Sequence, residues 1–66
     1  MIISDFTTSE IEYFRKNCNF VNFEIKIFEG RVKGIPLEQL AEELNISYDY
    51  SRHLSRKVNK KILKVL

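Results

Sequence analysis

At 66 residues the chain has room for one small domain, which buries only about 60% of its unfolded surface and is marginal in stability. With 44% hydrophobic residues, eight aromatics, two glycines and one proline it is too apolar for disorder, and its single cysteine excludes a disulfide framework. The net charge is only +2 but unevenly held: residues 47–66 carry six cationic side chains against Asp49, a balance of +5, whereas residues 1–46 carry five against eight acids.

The first helix is expected over Thr8 to Asn17. Thr7 can cap it, Glu10 completes a capping box, and Phe6 can staple onto Ile11. Ile11, Phe14 and Cys18 then share one helical face. A second helix is expected from Phe23 to about Lys33, with Asn22 as its cap and Ile25, Phe28 and Val32 as its inward stripe. Ile27 falls off that stripe. Gly30 inside a helix costs about 1 kcal/mol relative to alanine, which points to close approach of a neighbouring helix. Gly34 ends the helix in the left-handed region.

Pro36 stands where a first-turn proline is tolerated, ahead of a third helix, Leu37 to Leu44. That helix sets Leu37, Leu40, Ala41 and Leu44 on one face and Glu38, Glu42 and Glu43 outside. Asn45 can take positive φ in the turn, Ile46 plugs the core, and Ser47 caps a fourth helix running to about Lys64. Leu54, Val58, Ile62 and Leu66 (or Val65) recur nearly every four residues along it. The pattern predicts an all-α domain, a small bundle of about four helices with a C-terminal helix-turn-helix over about 37–57.

Catalytic chemistry has little to work with. His53 and Cys18 stand 35 positions apart in no nucleophile motif, and Cys18 reads as a small core residue. The glutamates follow solvent faces, no glycine-rich phosphate loop exists, and metal ligands of the His and Cys type are lacking. No enzyme activity and no cofactor are expected. One free cysteine suits a reducing compartment, the opening MIISDFTTSE lacks the basic and apolar regions of a signal peptide, and no run approaches the ~18–20 apolar residues of a membrane span. The expectation is a cytoplasmic protein with no membrane partner.

The helix after the turn is where charge and exposure coincide. With Leu54 and Val58 turned inward, Tyr48, Asp49, Arg52 and His53 look outward near its start, and Arg56 follows one turn on. In a helix-turn-helix these first residues meet base edges in the major groove. Arg52 can donate bidentately to guanine, Asp49 can accept from a cytosine amino group, His53 can do either, and Tyr48 can touch a thymine methyl or a phosphate. Arg56, Lys57, Lys60, Lys61 and Lys64 suit phosphates, which set affinity and register. The bland readings are that the lysines only complement the helix dipole, that Tyr48 and Tyr50 lid the core, and that Asp49 and His53 have no role with DNA.

Phe28 to Ile62 resembles the helix-turn-helix of region 4 of bacterial primary sigma factors and its small relatives. The family core, a glycine and then E-x-[IL]-A-x-x-L-x-[IL]-S, stands here as Gly34, Glu38, Gln39, Leu40, Ala41, Leu44, Ile46 and Ser47, with the basic tail Arg56, Lys57, Lys60, Lys61 and Ile62. The likeness covers somewhat over half of the chain, and response-regulator output domains share much of the motif. It implies recognition of a promoter-like duplex element by Tyr48, Asp49, Arg52 and His53, in a small stand-alone protein of the kind carried by phages and mobile elements of low-GC bacteria. Ser51 departs from the usual Val or Ile, Asn45 from the frequent turn glycine, and Pro36 from the usual capping Ser or Thr. Family members also dock on RNA polymerase. The alternatives are therefore a protein-interaction module, docking on polymerase or self-associating through Leu54, Val58, Ile62 and Leu66, and a DNA-packaging or recombination accessory protein. Monomer and homodimer are both compatible with the sequence.

Overall fold

The computed structural model describes residues 2–66. It contains one 3-10 turn, Ile3–Asp5, and four helices: α1 (Thr8–Asn17), α2 (Phe23–Val32), α3 (Leu37–Leu44) and α4 (Tyr48–Val65). No strand occurs among the described residues, and the protein is a small all-α bundle. Among the described residues no helix is long and apolar enough to cross a membrane.

The capping box at α1 forms in full: Glu10 N–H donates to Thr7 Oγ1 at 3.2 Å and Thr7 N–H to the Glu10 carboxylate at 2.8 Å. Phe6, expected to staple onto Ile11, packs against the core cluster to which Ile11 belongs. It leaves the 3-10 turn extended and sets its ring edge-on to Phe14, centroids 4.9 Å apart, a geometry aromatic pairs favour. Ile11, Phe14 and Cys18 are all buried. Burial pushes the Cys18 thiol up, against the opposing charge of Lys61, so it stays protonated and serves as a small apolar residue.

The inward face of α2 differs from the expected stripe. Ile27 and Phe28 are fully buried and Gly30 and Glu24 join them, whereas Ile25 is 37% exposed and Val32 only half-buried. The reason is that α2 is packed by α4, by α3 and by the 3-10 turn, so its buried surface wraps round to Ile27. Phe20 closes over Phe28 with centroids 4.7 Å apart. Asn22 occupies the cap position at φ 52° but its side chain makes no capping bond; Val21 N–H donates to the Glu24 carboxylate instead. Gly30 has the packing role expected of it, since a Cβ there would lie 2.2 Å from Leu40 Cδ2.

Both ends leading into the C-terminal half close alike. Gly34, at φ 79°, donates to Arg31 O and Ile35 N–H to Gly30 O, each at 3.0 Å. Asn45, at φ 58°, donates to Glu42 O at 3.2 Å and Ile46 N–H to Ala41 O at 3.0 Å. Each is a Schellman pair, which satisfies the last carbonyls of the helix and fixes the exit direction of the chain. Leu54, Val58 and Ile62 are buried and complete the core.

Two ion pairs tie helices together. Arg15 grips both oxygens of Glu29, at 2.7 Å each, and so joins α1 to α2; Glu29 holds the guanidinium pKa above its ordinary value. Lys61 of α4 donates to Glu24 and to Asn19 O. Glu24 is only 4% exposed, a correction to the expectation that every glutamate faces solvent. Burial favours its protonated form, but the Lys61 hydrogen bond, the Val21 amide and the charges of Lys61 and Lys57 outweigh burial and hold the carboxyl below its ordinary value. The Arg15 hydrogen bond does the same for Glu29 against burial.

Both folded-state values lie below the reference of 4.5, so the stabilisation is fully present above about pH 4.5 and is lost as pH falls through the folded values. Melting temperatures taken from pH 7 down to pH 3 should therefore fall steeply in the parent. Glu24→Gln should melt lower at pH 7, with a shallower fall below pH 4.5. Parallel curves for the two proteins would refute the coupling.

Candidate nucleic-acid interface

The candidate surface is built on α3, the turn Asn45-Ile46-Ser47 and α4. The Schellman pair at Asn45 stops α3, and Ser47, extended at φ −69° and ψ 154°, accepts from Tyr50 N–H at 3.1 Å to start α4 at once. Residue type dictates each step: asparagine tolerates positive φ, and serine satisfies an orphan amide. Ser51 then turns fully inward and donates its hydroxyl to Tyr48 O at 2.6 Å, so the small polar residue at this packed position is satisfied.

All seven residues expected to meet DNA are exposed along α4: Tyr48, Asp49, Arg52, His53, Arg56, Lys57 and Lys60. Helical spacing groups them further. Asp49, Arg52, Arg56 and Lys60 recur at i, i+3, i+7 and i+11, which is one stripe. The Arg52 guanidinium lies 5.9 Å from the centroid of the Tyr48 ring, a cation–π contact that orients it. His53 stacks on Tyr50, centroids 6.4 Å apart and rings inclined by 21°. Tyr48 and Tyr50 are 46% and 45% exposed, so neither lids the core.

Lys61 is the exception among the expected cations, since Glu24 and Asn19 O hold it. No ion pair among the described residues involves Arg52, Arg56, Lys57, Lys60 or Lys64. The acids on α3, namely Glu38, Glu42 and Glu43, are exposed as expected.

Comparison with family models, with curated proteins and with solved structures finds no match.

The arrangement offers a row of cations without an ion-pair partner among the described residues, on a capped helix, with the carboxylate of Asp49 among them. That set can donate to phosphates along its length and present a planar donor fork at its start. Around the first turn of α2 lie groups the sequence did not single out. Phe23 and Lys26 line an open cleft of about 390 Å³ with Asn22 and Tyr50. A second cleft, about 440 Å³, runs between Val21 and Glu24 on one side and Lys57, Lys60, Lys61 and Lys64 on the other. Phe23 carries no sequence signal of its own, because it sits at the helix start where an apolar residue reads as core.

Proposed function

We propose that this chain binds double-stranded DNA through a helix-turn-helix made of α3 and α4, and regulates transcription as the sigma region 4 proteins it resembles do. The observation that carries the reading is the set of cations Arg52, Arg56, Lys57, Lys60 and Lys64, exposed along α4 with no ion-pair partner among the described residues, behind a turn closed by backbone hydrogen bonds. Five cations kept free of acids in a chain with nine acidic residues leave a field suited to a polyanion. At 18 residues α4 is about 27 Å long, more than twice the roughly 12 Å width of the major groove. Its first two turns therefore sit among the bases and the remainder crosses the phosphates. Arg52, steadied by Tyr48, donates to guanine; Asp49 accepts from cytosine; His53 reads beside them; Arg56, Lys57 and Lys60 hold the backbone.

Gel shifts on duplexes selected from a random pool, in low and moderate salt, test the reading. Arg52→Ala should weaken the selected duplex by about 1–3 kcal/mol, roughly 5- to 150-fold, and relax preference at one base pair. No shift for any duplex at low salt would sink it.

A second reading, a module that docks on RNA polymerase or on its own copy, draws support from Leu63 and Leu66, which are 61% and 69% exposed. It cannot use the expected stripe, because Leu54, Val58 and Ile62 are consumed by the core. Sedimentation and polymerase pull-down, with Leu63→Ser as control, separate the two: dimers lost in the variant, or a monomer that binds DNA weakly and polymerase tightly, favour the second reading.

A further inference from the structure

We infer that the side of α4 turned toward α2 is a second nucleic-acid site, a track for an unpaired strand in which bases stack on Phe23 and Tyr50 and phosphates run over Lys57, Lys60 and Lys64. Apart from Lys60, the residues concerned lie off the duplex-reading stripe. Tyr50, Lys57, Lys61 and Lys64 recur at i, i+7, i+11 and i+14, so they share a different face of α4 from Asp49, Arg52 and Arg56. This site does not need the duplex reading to be true, although Lys57 and Lys60 can serve both.

Three observations carry it. First, Phe23 and Tyr50, 39% and 45% exposed, line one open cleft with Lys26 and Asn22. The chemistry of the lining fits a nucleotide. Two aromatic faces can take a base, the Asn22 amide can pair with a base edge, and the Lys26 ammonium can meet a phosphate.

Second, the lysine cleft of about 440 Å³ lies on the other side of the first turn of α2, along the same helix. From Tyr50 to Lys64 is 14 residues of helix, about 21 Å, so a strand lying along α4 would meet stacking surfaces at one end and cations at the other. Aromatic platforms beside a basic groove are the recurring means of holding single strands without reading sequence.

Third, Glu24 is placed so as not to spoil the path. It lines the lysine cleft but is buried and paired with Lys61, while Lys57, Lys60 and Lys64 have no ion-pair partner among the described residues. Positive charge without a matching acid sets this cleft apart from a groove for an apolar protein helix, and so favours a polyanionic strand.

The test uses the full chain and a fluorescein-labelled oligothymidylate, followed by anisotropy at low salt, with an abasic oligomer of equal length and a blunt duplex alongside. The parent should bind oligothymidylate, and Phe23→Ala and Tyr50→Ala should each weaken it about 5- to 150-fold while leaving the blunt duplex unchanged. The abasic oligomer should bind the parent no better than oligothymidylate binds those variants. A parent that treats the two oligomers alike holds only backbone charge, and the inference falls.

The chain has no tryptophan, so Phe23→Trp introduces a single reporter into a site that keeps its ring. Its fluorescence should be quenched by oligothymidylate and not by the abasic oligomer. A spectrum that instead shifts with protein concentration alone would mark this face as a contact between copies and overturn the strand site. Because the blunt duplex is measured in the same series, failure of the duplex reading and failure of this one are separately visible.

Discussion

Replacing Phe28 with alanine is expected to lower the melting temperature by roughly 12–40 °C, enough to leave much of the protein unfolded near 37 °C. Phe28 is fully buried, closed over by Phe20 and placed where α2 meets the rest of the bundle. Truncating such a ring removes its transfer free energy and leaves a cavity, together about 3–5 kcal/mol. A domain of 66 residues has only some 3–10 kcal/mol in all, so one ring accounts for a large part of it. The matched control is Ile25→Ala, on the exposed side of the same helix, which should cost well under half as much. Thermal denaturation by circular dichroism gives both numbers. Equal losses would mean that α2 is oriented as its sequence stripe suggests, with Ile25 inside.

The second large effect concerns salt. If Arg56, Lys57, Lys60 and Lys64 each neutralise one phosphate, the logarithm of the duplex association constant should fall with the logarithm of salt at a slope of about −3.6. A fourfold rise in salt then weakens binding roughly 150-fold. Lys57→Ala and Lys60→Ala should each make the slope shallower by about 0.9 and weaken all sequences alike, unlike Arg52→Ala, which acts on one base pair. Titrations at four or more salt concentrations supply the slopes. A response that is flat, or unchanged in both lysine variants, would remove α4 from the phosphates.

Most of the fold can be read from local chemistry. Thr7 with Glu10, Gly34, Asn45 and Ser47 each announce a boundary through a residue whose side chain or backbone freedom only that position requires. The amphipathic patterns of α3 and α4 are equally direct, because each helix buries one face and wets the other. Helix α2 resists the same reading. Its apolar residues, Phe23, Ile25, Ile27, Phe28 and Val32, spread over more than half of the helix circumference, and only the positions of α3, α4 and the 3-10 turn decide which of them are covered. Glu24 is illegible for a related reason: the cation that makes its burial tolerable is 37 positions away.

The exposed row on α4 is legible as charge spacing. What spacing could not supply is that Lys61 is withdrawn from the row by Glu24, or that Tyr50 stacks on His53 and faces a cleft it shares with Phe23. The stacking is an i,i+3 contact within α4, but the withdrawal of Lys61 and the shared cleft depend on where the first turn of α2 lands, and nothing local to α4 encodes that.

The two glycines constrain the future of this sequence in opposite ways. Position 34 has empty space around it and forbids side chains only by its dihedral angle, so asparagine is its natural neighbour in sequence space. Position 30 has an ordinary helical backbone and forbids side chains by volume, because Leu40 already fills the place of a Cβ. Drift at position 34 can proceed alone. Drift at position 30 needs the Leu40 side chain to move or shrink, so at this contact the two helices have bound their substitution histories together.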